Sequence, residues 1–195
     1  MLLTVRTYRR QGLVEPLDLS GLTGRCVAEV STQQILKPPH VGLVRPGGRR
    51  VLRTTPTRRR TTDFEHGMPN HEAWHDGRWE PDPLILDEQG LVVHVRGCGL
   101  VVITGCGHAG AVNIARHAMR LTGVDRLHAL LGGFHLTGPA FEPIIEPTVA
   151  TFTDMAPDVL VPAHCTGWKA QHRLAAALPA AFVPNAVGTS FALAG

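Results

Sequence analysis

Three times in the second half of this chain, a short apolar run ends in glycine or proline and a histidine follows within four residues. Leu100–Thr104 runs into Gly105-Cys106-Gly107-His108, Arg126–Leu131 into Gly132-Gly133-Phe134-His135, and Asp158–Val161 into Pro162-Ala163-His164. Runs of this length, rich in Val, Leu and Ile, read as buried strands. A segment with helical spacing follows each histidine: Ala111–Leu121, stopping at Gly123, about Pro147–Met155, and about Lys169–Leu178. Gly123 suits a helix C-terminus and Pro147 a first helical turn. The histidines lie 27 and 29 residues apart (108 to 135 and 135 to 164), the length of one strand-helix-strand unit. If the three strands lie in one sheet, their C-terminal ends line one edge, where open α/β sheets place ligands, and the three imidazoles converge.

The rest of the chain is less regular. Leu91–Val95 and Leu100–Thr104, separated by Arg96-Gly97-Cys98-Gly99, read as a hairpin. Residues 62 to 87, with His66, His71, His75, Trp74 and Trp79, read as a long structured loop leading into a strand. From Met1 to Thr62, Lys37-Pro38-Pro39, Pro46-Gly47-Gly48 and an arginine run break every periodic stretch, so short strands or disorder are expected. The division is therefore 1–62, an irregular basic segment, and 63–195, the folded part. With 21 glycines, 15 prolines and only 5% aromatics among 195 residues, an α/β layout with many tight loops is favoured over a helical bundle.

Charge and cysteine usage exclude several classes. The net charge of +3 is gathered in Arg9, Arg10, Arg49, Arg50, Arg53 and Arg58-Arg59-Arg60. Such an arm could meet phosphates, but without interleaved aromatics a solvated loop is the commoner meaning, and nucleic acid is not the expected partner. Four cysteines without CxxC spacing are too few for a disulfide scaffold. With no signal-peptide layout and no apolar run near the ~18 to 20 residues of a membrane span, a cytoplasmic protein with no membrane partner is expected.

Imidazoles at a sheet edge, flanked by glycines that let the backbone approach closely, suit a borderline metal such as zinc. The competing chemistry is a thiolate nucleophile, since Cys106 stands near His108 and Cys165 is adjacent to His164. Adjacent side chains of an extended segment point to opposite faces, so Cys165 and His164 are expected to diverge. His66, His71 and His75 read as a solvent-facing loop or as part of a pocket wall.

Three segments resemble one family. Thr104-Gly105-Cys106-Gly107-His108-Ala109-Gly110 with Asn113, Gly132-Gly133-Phe134-His135-Leu136, and Pro162-Ala163-His164-Cys165-Thr166-Gly167 are similar to metallo-β-lactamase-fold hydrolases of the dihydropterin ribofuranosyl-aminobenzene-phosphate synthase type. The likeness runs from about Thr62 to Leu193, with Asp63-Phe64-Glu65 leading in and Val187-Gly188-Thr189 as a closing strand. It implies the C-terminal half of an αββα sandwich with a dinuclear site at one edge, commonly zinc, with Mn²⁺ or Fe²⁺ as alternatives. His108 resembles the ligand completing the first metal site and His164 the one completing the second. His135 stands where many relatives place a bridging carboxylate, and Cys106, Asn113, Cys165 and Thr166 fall in the pocket. The implied activity is hydrolysis of a small phosphorylated or ester-like substrate by a metal-bound hydroxide.

The sequence departs from that family in one respect. A His-x-His-x-Asp-His motif supplies most of the family's ligands, and nothing in residues 1–62 matches it; His40 is the only histidine there. With the N-terminal half of the sandwich largely missing, weakly bound or lost metal, exposed sheet edges and an uncovered core face are expected. The alternative reading is a catalytically inactive remnant, or a half-domain completed by a homo-oligomer or another chain.

Overall fold

The three histidine-bearing strands are parallel neighbours. The computed structural model describes residues 2–6, 26–27, 50–53, 57 and 59–194. Among these, strands β1 (Leu2–Arg6), β2 (Cys26–Val27) and β3 (Arg50–Arg53) precede a hairpin of β4 (Glu72–His75) and β5 (Arg78–Pro81). Then come β6 (Gly90–Val95), β7 (Gly99–Thr104), α1 (Ala111–Thr122), β8 (Leu127–Gly132), α2 (Ile145–Met155), β9 (Val159–Pro162), α3 (Trp168–Ala177) and β10 (Ser190–Ala194). The central sheet has the order β3-β6-β7-β8-β9. Its β6 and β7 are antiparallel, whereas β7, β8 and β9 are parallel, with Ile103 opposite Leu131 and Gly132 opposite Pro162. Thr104, Gly132 and Pro162 therefore end their strands along one edge.

Burial on both faces explains the continuous apolar runs. Alternate residues of the central strands serve two cores. Val92, Leu100, Val102, Leu130 and Leu160 face the helices, meeting Ile114 and Ala115 of α1, Phe152 of α2 and Leu174 of α3. Val93, Val95, Val101, Ile103, Ala129, Leu131 and Val161 face the other way and meet Phe191 and Leu193 of β10. A second sheet of order β10-β1-β2 thus stands behind the first, giving one helical layer on two sheets. The expectation of an uncovered core face fails because the returning C-terminal strand covers it. The outer edge of β9 is likewise covered, by hydrogen bonds between Leu160 and the backbone of Ala181 and Val183.

Two local expectations need correction. The closing strand is Ser190–Ala194, just beyond Val187-Gly188-Thr189, where it pairs with β1. Residues 62–87 are not all loop. Trp74 and Trp79 face each other across β4 and β5 with ring centroids 5.4 Å apart, joined by Asp76-Gly77, both at positive φ (48° and 85°). An Asp-Gly pair in that conformation is the tight-hairpin signature. It was masked because both faces of this hairpin are largely exposed, so no apolar alternation marks its strands.

Of the basic residues named above, Arg9, Arg10, Arg49 and Arg58 lie outside the described residues, as does His40. Arg60 is turned inward, donating to the carbonyls of Thr57 and Leu84. No helix among the described residues is long and apolar enough to cross a membrane.

The start of α1 depends on a distant carboxylate. No side chain of its own caps it; Glu65 Oε1 accepts the Val112 N–H at 2.9 Å and Oε2 the Asn113 N–H at 2.8 Å. Glu65 is buried, and desolvation pushes its carboxyl up to about 7 against the opposing pull of those two N–H groups, Thr62 and Arg60. A folded-state value above the unfolded one means that the folded chain binds the extra proton, so this stability is lost as pH rises from about 5 to about 7. Urea midpoints should fall across that interval, and Glu65→Gln should flatten the slope; equal slopes in both proteins would contradict the assignment.

Candidate metal centre

Backbone bonds lock the three strand ends together. The Gly133 N–H donates to Gly105 O and the Ala163 N–H to Gly132 O, each at 2.8 Å. Beyond β9 the chain reverses at once, with the Thr166 N–H bonded to Ala163 O at 2.9 Å, so His164 and Cys165 are the central residues of a turn. The expected divergence of His164 and Cys165 is therefore wrong, because it assumed an extended segment. Both side chains reach Cys106: His164 Nε2 lies 3.1 Å from Cys106 Sγ, and Cys165 Sγ donates to Cys106 O at 3.1 Å. The ligand atoms of Cys106, His164 and Cys165 all lie within 4.8 Å of one another.

His108 and His135 form the neighbouring half of the constellation, with ring centroids 4.6 Å apart and edge to face. Glu88 orients His108. Its Oε2 accepts both the His108 backbone N–H and ring Nδ1–H at 3.1 Å, and Oε1 accepts the Gly107 N–H at 3.3 Å. A carboxylate on one ring nitrogen fixes the tautomer and leaves Nε2 to act as a ligand. His135 stacks on Phe141 at 4.5 Å, sits at φ 48°, and carries a buried Nδ1 with no hydrogen-bond partner among the described residues. A non-glycine residue in the left-handed region with an orphaned buried nitrogen is the kind of strain that functional sites hold.

The electrostatics centre on Cys106. Hydrogen bonds from Cys165, His108 and His164 hold its thiol far below the ordinary range, as a thiolate. Bonding to Cys106 and Glu88 in turn raises His108 to about 10, and bonding to Cys106 raises His164. The neighbouring Cys106 sulfur and burial push the Cys165 thiol up. Burial and the His108 charge push His135 down.

The other candidates lie around this cluster. Buried Asn113 accepts the Thr61 N–H at 2.7 Å and donates to Ala109 O at 3.1 Å, tying residues 61–65 to α1 behind the His108 turn. Thr166 Oγ1, also buried, accepts the Phe134 N–H at 3.3 Å. His66 lines the cleft together with Glu65, His108, His135 and Phe141. His71 braces the hairpin through Nδ1, 3.2 Å from Asp82 O, and His75 is exposed. Glu88 carried no signal: in Asp87-Glu88-Gln89-Gly90 it looks like any solvated loop charge.

Nitrogen and sulfur donors of this kind fit zinc better than the oxygen-preferring ions, and the orphaned His135 nitrogen is consistent with a missing partner.

No family model matches the chain. Over 88 residues it is 33% identical to the 7,8-dihydropterin-6-methyl-4-(β-D-ribofuranosyl)-aminobenzene-5′-phosphate synthase of Methanocaldococcus jannaschii, a stretch making 45% of this chain and 29% of that protein. Its structure is similar to the crystal structure of Tm1679, a metal-dependent hydrolase of the β-lactamase superfamily, with a TM-score of 0.62 and 27% identity. That match covers 78% of this chain and 56% of the other. The chain thus spans under a third of the curated relative and just over half of the solved one. The family resemblance read from the three motifs holds, and the described residues carry part of the β-lactamase-superfamily hydrolase fold.

Proposed function

We propose that the chain is a metal-dependent hydrolase, with His108, His135 and His164 as ligands, acting on a small phosphorylated or ester-like substrate. The observation that supports this reading is three parallel strand ends along one sheet edge, each followed by a histidine, with His108 and His135 in ring contact, His164 beside Cys106, and a buried His135 nitrogen without a partner among the described residues. A zinc held by these residues would supply Lewis-acid chemistry and would activate water at neutral pH. The chain's own groups do the rest. Glu88 holds the His108 ring in one tautomer, the apolar cleft wall of Phe134, Phe141 and Ile144 excludes water beside the site, and His66 at the rim can hold a polar substrate group.

Hydrolysis of a generic phosphodiester and a lactone, with added Zn²⁺ or Mn²⁺, tests the reading. Turnover should require the ion and fall on the order of a hundredfold in His108→Ala; turnover unaffected by either change would end it. The second reading, a half-site completed by another chain, is favoured by one observation: the close ligand group among the described residues is Cys106, His164 and Cys165, without His108 or His135. It expects metal binding without turnover by this chain alone.

A further inference from the structure

The site holds two sulfur atoms that the three-histidine reading leaves without a role. We propose that Cys106, His164 and Cys165 together form a thiolate-rich Cys2His site that holds the chain's own ion and selects zinc over magnesium and manganese. This inference rests on the reading of His164 as a ligand and adds the donors that accompany it.

The geometry is close to what the ion needs. With zinc–sulfur bonds of ~2.3 Å and a zinc–nitrogen bond of ~2.0 Å, tetrahedral ligation sets sulfurs about 3.8 Å apart and sulfur about 3.5 Å from nitrogen. The three ligand atoms already lie within 4.8 Å of one another, and Cys106 Sγ and His164 Nε2 are at 3.1 Å. Shifts of about an ångström or less complete the arrangement. The donors are also built in, not gathered from loose loops. Cys106 follows the end of β7, while His164 and Cys165 share the turn after β9, closed by its own hydrogen bond. A side chain at Gly133 would meet Cys165 Sγ at 2.5 Å and the His164 ring at 2.8 Å, so the glycine between the strands lets both press toward Cys106.

Three protein donors leave a fourth position open, the pattern of a catalytic rather than a structural zinc. Binding the ion would release the Cys165 proton to solvent, and the two sulfurs, then both thiolates, would neutralise the dication. Thiolate sulfur also decides selectivity, because it favours zinc and cobalt and disfavours the ions that prefer oxygen.

The test is titration of the reduced chain with Co²⁺, followed by its near-ultraviolet absorption. A sulfur-to-cobalt charge-transfer band is expected, falling by about half in Cys106→Ser and in Cys165→Ser as each sulfur is lost, and persisting in His108→Ala. A second readout needs no variant: Zn²⁺, but neither Mg²⁺ nor Mn²⁺, should protect Cys106 and Cys165 from alkylation while Cys98 reacts equally throughout. Cobalt bound with no charge-transfer band, and both cysteines still alkylated in the zinc-loaded chain, would overturn the site. That outcome leaves the hydrolase reading standing, since His108-dependent turnover is scored separately. A charge-transfer band without any metal-dependent turnover would support the site and count against the hydrolase reading.

Discussion

Replacing His164 by alanine is expected to release the bound metal and to lower metal-activated hydrolysis on the order of a hundredfold or more, since even orienting partners of ligands are worth 10- to 100-fold. The residue stands where both ligand schemes overlap. It is one of the three strand-end histidines, and its Nε2 is 3.1 Å from Cys106 Sγ, so its loss removes the group common to both. The fold should survive, because the ring sits in a solvent-facing turn whose backbone is held by Ala163, Thr166 and Gly132 without the imidazole. A thermal midpoint close to that of the parent, alongside lost turnover, separates a ligand from a packing residue. Full turnover in His164→Ala would place the chemistry elsewhere.

Gly132→Ala should have the largest effect on stability. Gly132 ends β8 at φ +127°, a region closed to side-chain-bearing residues, and a Cβ there would lie 2.1 Å from Thr104 O and 2.8 Å from Thr104 Cγ2. The obstruction is backbone, so relief requires parting β7 from β8 at the edge that carries the histidines. Strain in such a conformation costs about 1–3 kcal/mol and the clash adds to it, giving a loss above about 4 kcal/mol, enough to unfold many domains of this size. Gly133→Ala should behave differently. Its φ is outside that region, and its Cβ would press on Cys165 Sγ and the His164 ring, as well as on Gly105 O at 2.9 Å. Urea denaturation of the two variants should rank Gly132→Ala as much the less stable; equal stabilities would show that the strand ends can part cheaply.

The sequence foretold the half of the chain that is periodic. Two-sided burial makes β6 to β9 read as unbroken apolar runs, and the residues between them turn the chain at the same places in the structure, so the strands and the histidines at their ends were legible, while the order of the strands in the sheet was not. The helix after His135 starts two residues early, at Ile145, because a short 3-10 turn over Glu142–Ile144 feeds into it, with Pro147 still in its first turn. Contacts between segments distant in sequence were not legible. Glu65 capping α1 from 47 residues away, and Glu88 orienting His108 from 20 residues away, have no local pattern. Cys165 was misplaced for a related reason: whether Ala163–Thr166 is extended or turned depends on one hydrogen bond that periodicity cannot see.

With its own residues, this chain is expected to build a metal site at the shared edge of β7, β8 and β9. Metal content by elemental analysis tests it most directly, on the purified chain beside His108→Ala and His164→Ala, after dialysis against a weak chelator. Zinc retained in a fixed ratio to protein, and lost in His164→Ala, is the expected result. A chain that keeps no ion, or one whose zinc survives the loss of His164, would contradict it.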